Sequence, residues 1–109
     1  MAVPPQLLDH AAERFRLLGD PSRLRLLNAL DEQGELAAGA LAERAGLTAS
    51  NASRHLALLE GAGLVARRRE GTTIHYRIAD PSLHALCEAA CTGVRARLAG
   101  LADAAGAGV

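Results

Sequence analysis

The sequence has no tryptophan and no lysine, and Phe15 and Tyr76 are the only aromatic residues among its 109. A core with so few large rings has to be packed with leucine, alanine and valine, which suits interlocking helices better than a sheet sandwich. Two cysteines four residues apart do not form a secreted disulfide framework. No apolar run approaches the ~18 residues of a membrane span, and the N-terminus lacks a signal-peptide pattern. We therefore expect a cytoplasmic protein with no membrane contact.

The chain length allows one small domain, which we predict over residues 1–109 with flexible ends at 1–5 and 102–109. The formal net charge is zero, but the charges are unevenly placed. Between Arg44 and Arg77 six arginines stand against two glutamates, whereas the rest of the chain is acidic. A local basic block of this kind is typical of a surface that binds phosphates.

Apolar residues at helical spacing predict four helices in the first part of the chain. The first runs from Gln6 to Leu18, and Asp20-Pro21 begins the second with a cap and a first-turn proline. A short third helix covers 38–45, and Gly46 ends it. Thr48 caps a fourth helix that ends near Gly61 or Gly63. A short helix, a glycine turn and a longer helix with a polar face indicate a helix-turn-helix.

After Gly63 the spacing of apolar residues changes to that of a half-buried strand. Residues 64–69 and 73–79 form a predicted hairpin around a short loop, 70–72, which contains Gly71. A last helix is predicted from Pro81 to about Leu101. The predicted fold is therefore mainly α with a small β-hairpin, in the order helix-helix-helix-helix-hairpin-helix, a winged helix-turn-helix.

The polar face of the fourth helix and the arginines of the hairpin predict a DNA-binding surface. Hydroxyls, amides and guanidinium groups on one helix face can meet base edges in a major groove, and arginines on a wing beside it can meet phosphates. The alternative for both features is an ordinary solvated surface. The predicted DNA-binding residues are Thr48, Ser50, Asn51, Ser53, Arg54, His55, Arg67, Arg68, Arg69 and Thr72.

Four segments of the chain, at 18–27, 53–56, 61–65 and 68–78, resemble the ArsR-type winged helix-turn-helix repressors, a bacterial family of arsenic and metal sensors. They include Leu-Gly-Asp-Pro-Ser-Arg at 18–23 and Ser-Arg-His-Leu at 53–56. The resemblance implies a homodimer joined through the first and last helices. It also implies binding to an imperfect palindrome in double-stranded DNA, usually as a repressor, and release of the DNA when a ligand binds.

The two common sensor sites of that family are absent or incomplete in this sequence. The short third helix has no cysteine, and residues 93–96 stand where partner histidines of Asp80 would fall. What remains is His84, Cys87 and Cys91 on one face of the last helix. These ligands would suit zinc or another soft cation, with donors shared across a dimer, or the thiols could act as a redox switch. The alternative is that the cysteines only pack as small apolar groups.

No nucleophile–base pair, phosphate-binding glycine loop or paired carboxylates are present, so we expect no enzyme activity. The sequence predicts a homodimeric, sequence-specific DNA-binding regulator, a repressor released by a ligand, a metal or thiol modification. Two alternatives stay open. One is a winged-helix module that binds proteins instead of DNA. The other is a repressor with no metal or thiol sensing.

Overall fold

The structure, a computed structural model, describes residues 2–107. Its regular elements are α1 Leu8–Leu18, α2 Pro21–Gln33, β1 Glu35–Ala37, α3 Ala38–Arg44, α4 Ala49–Gly61, β2 Val65–Glu70, β3 Thr73–Ile78 and α5 Ser82–Ala107. The predicted order of helices and hairpin is confirmed. A 3-10 turn, Pro5–Leu7, stands before α1, so the first α-helix begins at Leu8 instead of Gln6.

The sheet has one strand more than the predicted hairpin. The strands lie in the order β1-β3-β2, and both pairs are antiparallel. Glu70 pairs with Thr73, so the loop between β2 and β3 contains two residues and not three. Its first residue, Gly71, has a φ of 63°, the left-handed value that a tight hairpin turn needs at this position.

Leucines from α2, α3 and α4 form the centre of the core, and the sheet covers it from one side. The largest fully buried side chains are Leu26, Leu30, Leu41, Leu56, Leu59, Leu64 and Val65. Of the two aromatic residues, Tyr76 lies in this core, while Phe15 on α1 is 57% exposed. The aliphatic core expected from the composition is confirmed, but one of its two rings faces outward.

The start of α5 is held by Asp80. Its carboxylate accepts hydrogen bonds from the backbone N–H and the hydroxyl of Ser82, at 2.9 and 2.6 Å, and pairs with the guanidinium of Arg14 on α1. These bonds lower the pKa of Asp80 to about 2, so the carboxylate is charged at neutral pH. Leu83, the second residue of α5, is buried. The first turn of α5 is therefore fixed to the domain through both α1 and the core.

The rest of α5 is longer than predicted. Residues 102–107, predicted to be a flexible end, are helical, because alanine is the strongest helix former and outweighs Gly106 in this segment. Residues 2–4 form no helix or strand, while Pro5 belongs to the 3-10 turn. Residues 1, 108 and 109, also in the predicted flexible ends, lie outside the described part of the chain. Within residues 2–107, no helix is long and apolar enough to cross a membrane.

Candidate nucleic-acid interface

The turn between α3 and α4 is fixed by three local features. Gly46 takes a φ of 68°, which ends α3. The backbone N–H of Leu47 then bonds to the carbonyl of Ala42 at 3.0 Å. Thr48 caps α4, because its hydroxyl oxygen accepts a hydrogen bond from the backbone N–H of Asn51 at 3.1 Å. These contacts set the direction in which α4 leaves the turn.

The two faces of α4 differ sharply in burial. Ala52, Leu56 and Leu59 lie in the core. The exposed residues that begin or line the outer face are Thr48, Ser50, Asn51, Ser53 and Arg54. A guanidinium nitrogen of Arg54 lies 3.4 Å from the side-chain oxygen of Asn51, which is long for a hydrogen bond. This weak bond leaves both groups available to another partner. The outer face of α4 therefore presents one cation and several short hydrogen-bonding groups to the outside.

His55 differs from its predicted position on that outer face. Its side chain is 8% exposed, and Nδ1 lies 3.2 Å from Nη1 of Arg23 on α2. The reason is helical spacing, since His55 stands three residues after Ala52 and four before Leu59, on the buried stripe. The prediction that His55 reaches a DNA groove is corrected: the side chain points into the domain.

The hairpin places two of its three arginines on the side of the sheet that faces α4. Arg67 pairs in register with Tyr76 and Arg69 with Ile74, so both share the inner face of the sheet. The Arg67 guanidinium is 3.3 Å from a carboxylate oxygen of Glu60, in the last turn of α4. Arg69 donates to the carbonyl of Gly71 at 2.9 Å, and within residues 2–107 it has no acidic partner. Thr72 is exposed in the same loop.

Arg68 lies on the opposite face of the hairpin and is already paired. Its guanidinium is 2.6 Å from Glu35 on β1 and 2.8 Å from Glu70 at the end of β2. Hydrogen bonds to these two carboxylates raise the pKa of Arg68 above its ordinary value, and those from Arg68 lower the pKa of both glutamates. The two carboxylates would compete with a phosphate for Arg68, and the pair with Glu35 joins the hairpin to β1.

Arg68 and Arg69 should therefore differ in a salt titration of DNA binding. If the predicted homodimer binds DNA through its hairpins, we expect Arg69→Ala to reduce the slope of log affinity against log salt by about 2, because each protomer would lose one phosphate contact. Arg68→Ala should leave the slope within ~0.3 of the wild type, since its charge is already neutralised locally. Fluorescence anisotropy at five salt concentrations measures both. A slope lowered equally by both substitutions would show that Arg68 leaves its glutamates to contact DNA. An unchanged slope for Arg69→Ala would show that Arg69 makes no phosphate contact.

Cys87 and Cys91 line an apolar groove between α5 and the first two helices. The groove has a volume of about 560 Å³, and its other apolar walls include Phe15, Leu27 and Val94. Cys87 is half-buried and Cys91 is exposed, and both are free thiols. Burial, with the nearby Cys91 and Asp31, raises the pKa of the Cys87 thiol. Within one chain Cys87 is thus held as the neutral thiol, the less reactive form.

The predicted ligand set of His84, Cys87 and Cys91 is not assembled within one chain. The ring nitrogens of His84 lie 3.7 Å from Asp31 and 3.5 Å from Glu88, so the neighbours of this exposed ring are acidic groups and not the thiols. Across residues 2–107, no group of three or more histidine, cysteine or acidic side chains could hold a metal ion. A metal site on these residues would need donors from a second copy of the chain.

Comparison with known proteins identifies the class of proteins that share this fold. A helix-turn-helix domain model matches residues 18–68. The HTH-type regulator Rv0081 of Mycobacterium tuberculosis is 40% identical over 72 residues, which is 66% of this chain and 63% of that protein. The crystal structure of Rv0081 matches with a TM-score of 0.79 and 35% identity, covering 90% of this chain and 97% of the solved one.

Two further solved structures share the fold. One is a homodimeric winged helix-turn-helix DNA-binding domain of Mb0332 from Mycobacterium bovis, a possible ArsR-family regulator. It has a TM-score of 0.75 and 35% identity over 90% of this chain and 94% of that one. The other is the antimony-specific repressor AntR, with a TM-score of 0.72 and 29% identity over 90% and 98% of the two chains.

The chain is a winged helix-turn-helix domain, with α3 and α4 as the helix-turn-helix and the β2–β3 hairpin as the wing. It belongs to the ArsR family of transcriptional regulators, a class of DNA-binding proteins that are not enzymes. The family resemblance found in the sequence is confirmed. The matched segment spans 63% of the curated relative Rv0081.

Proposed function

We propose that this protein is a homodimeric, sequence-specific DNA-binding repressor that acts in the cytoplasm. One observation carries the proposal: the outer face of α4 is exposed and polar, with Arg54 at its centre and the wing beside it. In this arrangement α4 enters a major groove, Ser50, Asn51 and Arg54 meet base edges or phosphates, and Arg69 reaches the adjacent backbone. Thr48 and Ser53 lie at the same surface and contact phosphate.

The dimer in this proposal forms through α1 and α5. The apolar side chains of α5 that follow Cys91 are exposed: Val94 at 57%, Leu98 at 59% and Leu101 at 49%. Together with the exposed Phe15 on α1 they form an uncovered apolar face, and a second copy of the chain supplies a matching one. The homodimeric state of the Mb0332 domain supports this arrangement. A two-fold axis between two α4 helices makes the target an imperfect palindrome in double-stranded DNA.

The experiment that tests the proposal is binding of the protein to a duplex from its own promoter, at two salt concentrations. We expect specific binding that weakens steeply with salt, and weaker binding to an unrelated duplex of the same length. Absence of salt-sensitive binding would favour the alternative, a winged-helix module that contacts another protein. The basic residues around α4 favour DNA, because a local cluster of this kind is typical of surfaces that bind phosphates.

For the signal that releases DNA, we propose Cys87 and Cys91 at the dimer interface, acting with thiols or His84 from both copies. The resemblance to an antimony-specific repressor supports a soft metal, a metalloid or an oxidant as the inducer. Zinc is the simplest probe. The alternative is a repressor in which the thiols only pack.

Replacing Cys87 and Cys91 with serine is expected to abolish release of promoter DNA by zinc, by arsenite and by a thiol oxidant. The reason is that thiolates are the soft ligands and the oxidisable groups of this chain. Promoter-bound fraction is measured by anisotropy during titration with each agent, and Ala89→Ser on the same helix is the matched control. If these agents still release promoter DNA from the double variant, the two cysteines only pack as small apolar groups.

A further inference from the structure

Among the residues that the structure describes, His55 is the one buried side chain that is polar or charged. In the sequence it lies between Arg54, on the exposed face of α4, and Leu56, in the core. A buried polar group is costly unless it is hydrogen-bonded. Its partner therefore shows what the residue does in the fold.

That partner, Arg23, connects three helices through one side chain. Nη1 of Arg23 lies 3.2 Å from Nδ1 of His55 on α4, and Nε donates to the carbonyl of Leu17 at 2.6 Å. Leu17 is in the last turn of α1, where carbonyl groups have no partner within the helix. The backbone N–H of Arg23 in turn donates to the capping carboxylate of Asp20 at 3.0 Å. The backbone of Arg23 is thus fixed at the start of α2, and its guanidinium extends from there to α1 and α4.

The contact between Arg23 and His55 has a fixed chemical direction. A guanidinium only donates hydrogen bonds, so Nδ1 of His55 has to accept, and the ring proton resides on Nε2. Leucine has no acceptor at this place. Asparagine does, because its side-chain oxygen sits at about the position of the histidine Nδ1. The contact can therefore be removed or preserved by a single substitution.

We propose that Arg23 and His55 are positioning residues for DNA recognition, which set the orientation of α4 relative to α1. The inference rests on the proposed function, in which α1 helps to form the dimer and α4 contacts the DNA. In a two-fold dimer, the distance between the two Arg54 side chains depends on how each α4 is held against its own α1. The hydrogen bonds of Arg23 span this junction, one residue away from Arg54.

The test compares His55→Leu with His55→Asn in the full-length protein, using the promoter duplex and an unrelated duplex of equal length. We expect His55→Leu to weaken promoter binding about tenfold, the size of a lost base contact. Binding to the unrelated duplex should stay within about twofold, because the charges that meet phosphates are unchanged. His55→Asn should bind the promoter within about threefold of the wild type. Arg23→Met is expected to behave like His55→Leu.

A purely structural role would give a different pattern, since promoter and unrelated binding would then fall together, in proportion to the unfolded fraction seen by circular dichroism. That pattern, or equal promoter binding by His55→Leu and the wild type, overturns the proposal. If His55→Leu does not fold, Arg23→Met and His55→Asn decide the question. The contact itself has a readout without DNA: nitrogen-15 NMR at pH 8 should show His55 with its proton on Nε2 in the wild type. A proton on Nδ1 refutes the contact even if the protein binds no DNA.

Discussion

Replacing Arg54 with alanine is expected to lower affinity for promoter DNA by about 30-fold or more. A good arginine–base contact contributes about 1–3 kcal/mol of discrimination, and the contact is lost twice in a dimer. The Arg54 side chain is exposed and holds only one weak bond, to Asn51, so its truncation should change the free energy of unfolding by less than about 0.5 kcal/mol. The loss of affinity therefore reports DNA recognition and not a change in the stability of the fold.

The measurement is fluorescence anisotropy on the promoter duplex and on variants with one base pair changed in each half-site. If Arg54 reads a base, the alanine variant loses discrimination at that base pair and nowhere else. Arg16→Ala is the matched control, because Arg16 is an exposed arginine on α1 whose only ion pair within residues 2–107 is with Glu13. Equal affinity losses for the two variants would remove Arg54 from the DNA contact.

Local sequence signals were enough to predict the helices and the wing. Asp20 caps α2 as predicted, with Pro21 at the first helical position. Gly71 stands at the hairpin turn, and alternation along β3 predicted that Ile74, Tyr76 and Ile78 share its inner face, although the register differs because the loop is one residue shorter than predicted. Each of these features depends on residues close together in the sequence, where sterics and hydrogen bonding act without help from the rest of the fold.

Features that depend on contacts between distant residues could not be predicted in the same way. Pairing of Arg68 with Glu35 joins residues 33 apart and requires β1, a strand of three residues with no alternating pattern of its own. The burial of His55 had a usable signal, its spacing from Ala52 and Leu59, but the polar residues around it suggested the outer face. Its partner Arg23 lies 32 residues away and gives no local sign of the contact.

Substituting Leu98 with aspartate is expected to convert the proposed dimer to a monomer and to weaken promoter binding by 100-fold or more. A carboxylate in an apolar interface loses its hydration without gaining a partner. A monomer also loses the second half-site, and two linked sites bind about 10²- to 10⁴-fold more tightly than one. The domain itself should stay folded, because Leu98 is 59% exposed within one chain and contributes nothing to the core.

Ala96→Asp is the matched control, since it places the same charge two residues earlier, on the opposite side of α5. Light scattering after gel filtration measures the mass of both variants, and anisotropy compares the full promoter site with a single half-site. We expect Leu98→Asp to bind the two duplexes equally weakly, while Ala96→Asp keeps the preference for the full site. If the Leu98→Asp protein remains dimeric, the dimer interface does not include this face of α5. The same result would exclude a sensor site in which Cys87 and Cys91 act together with donors from both protomers.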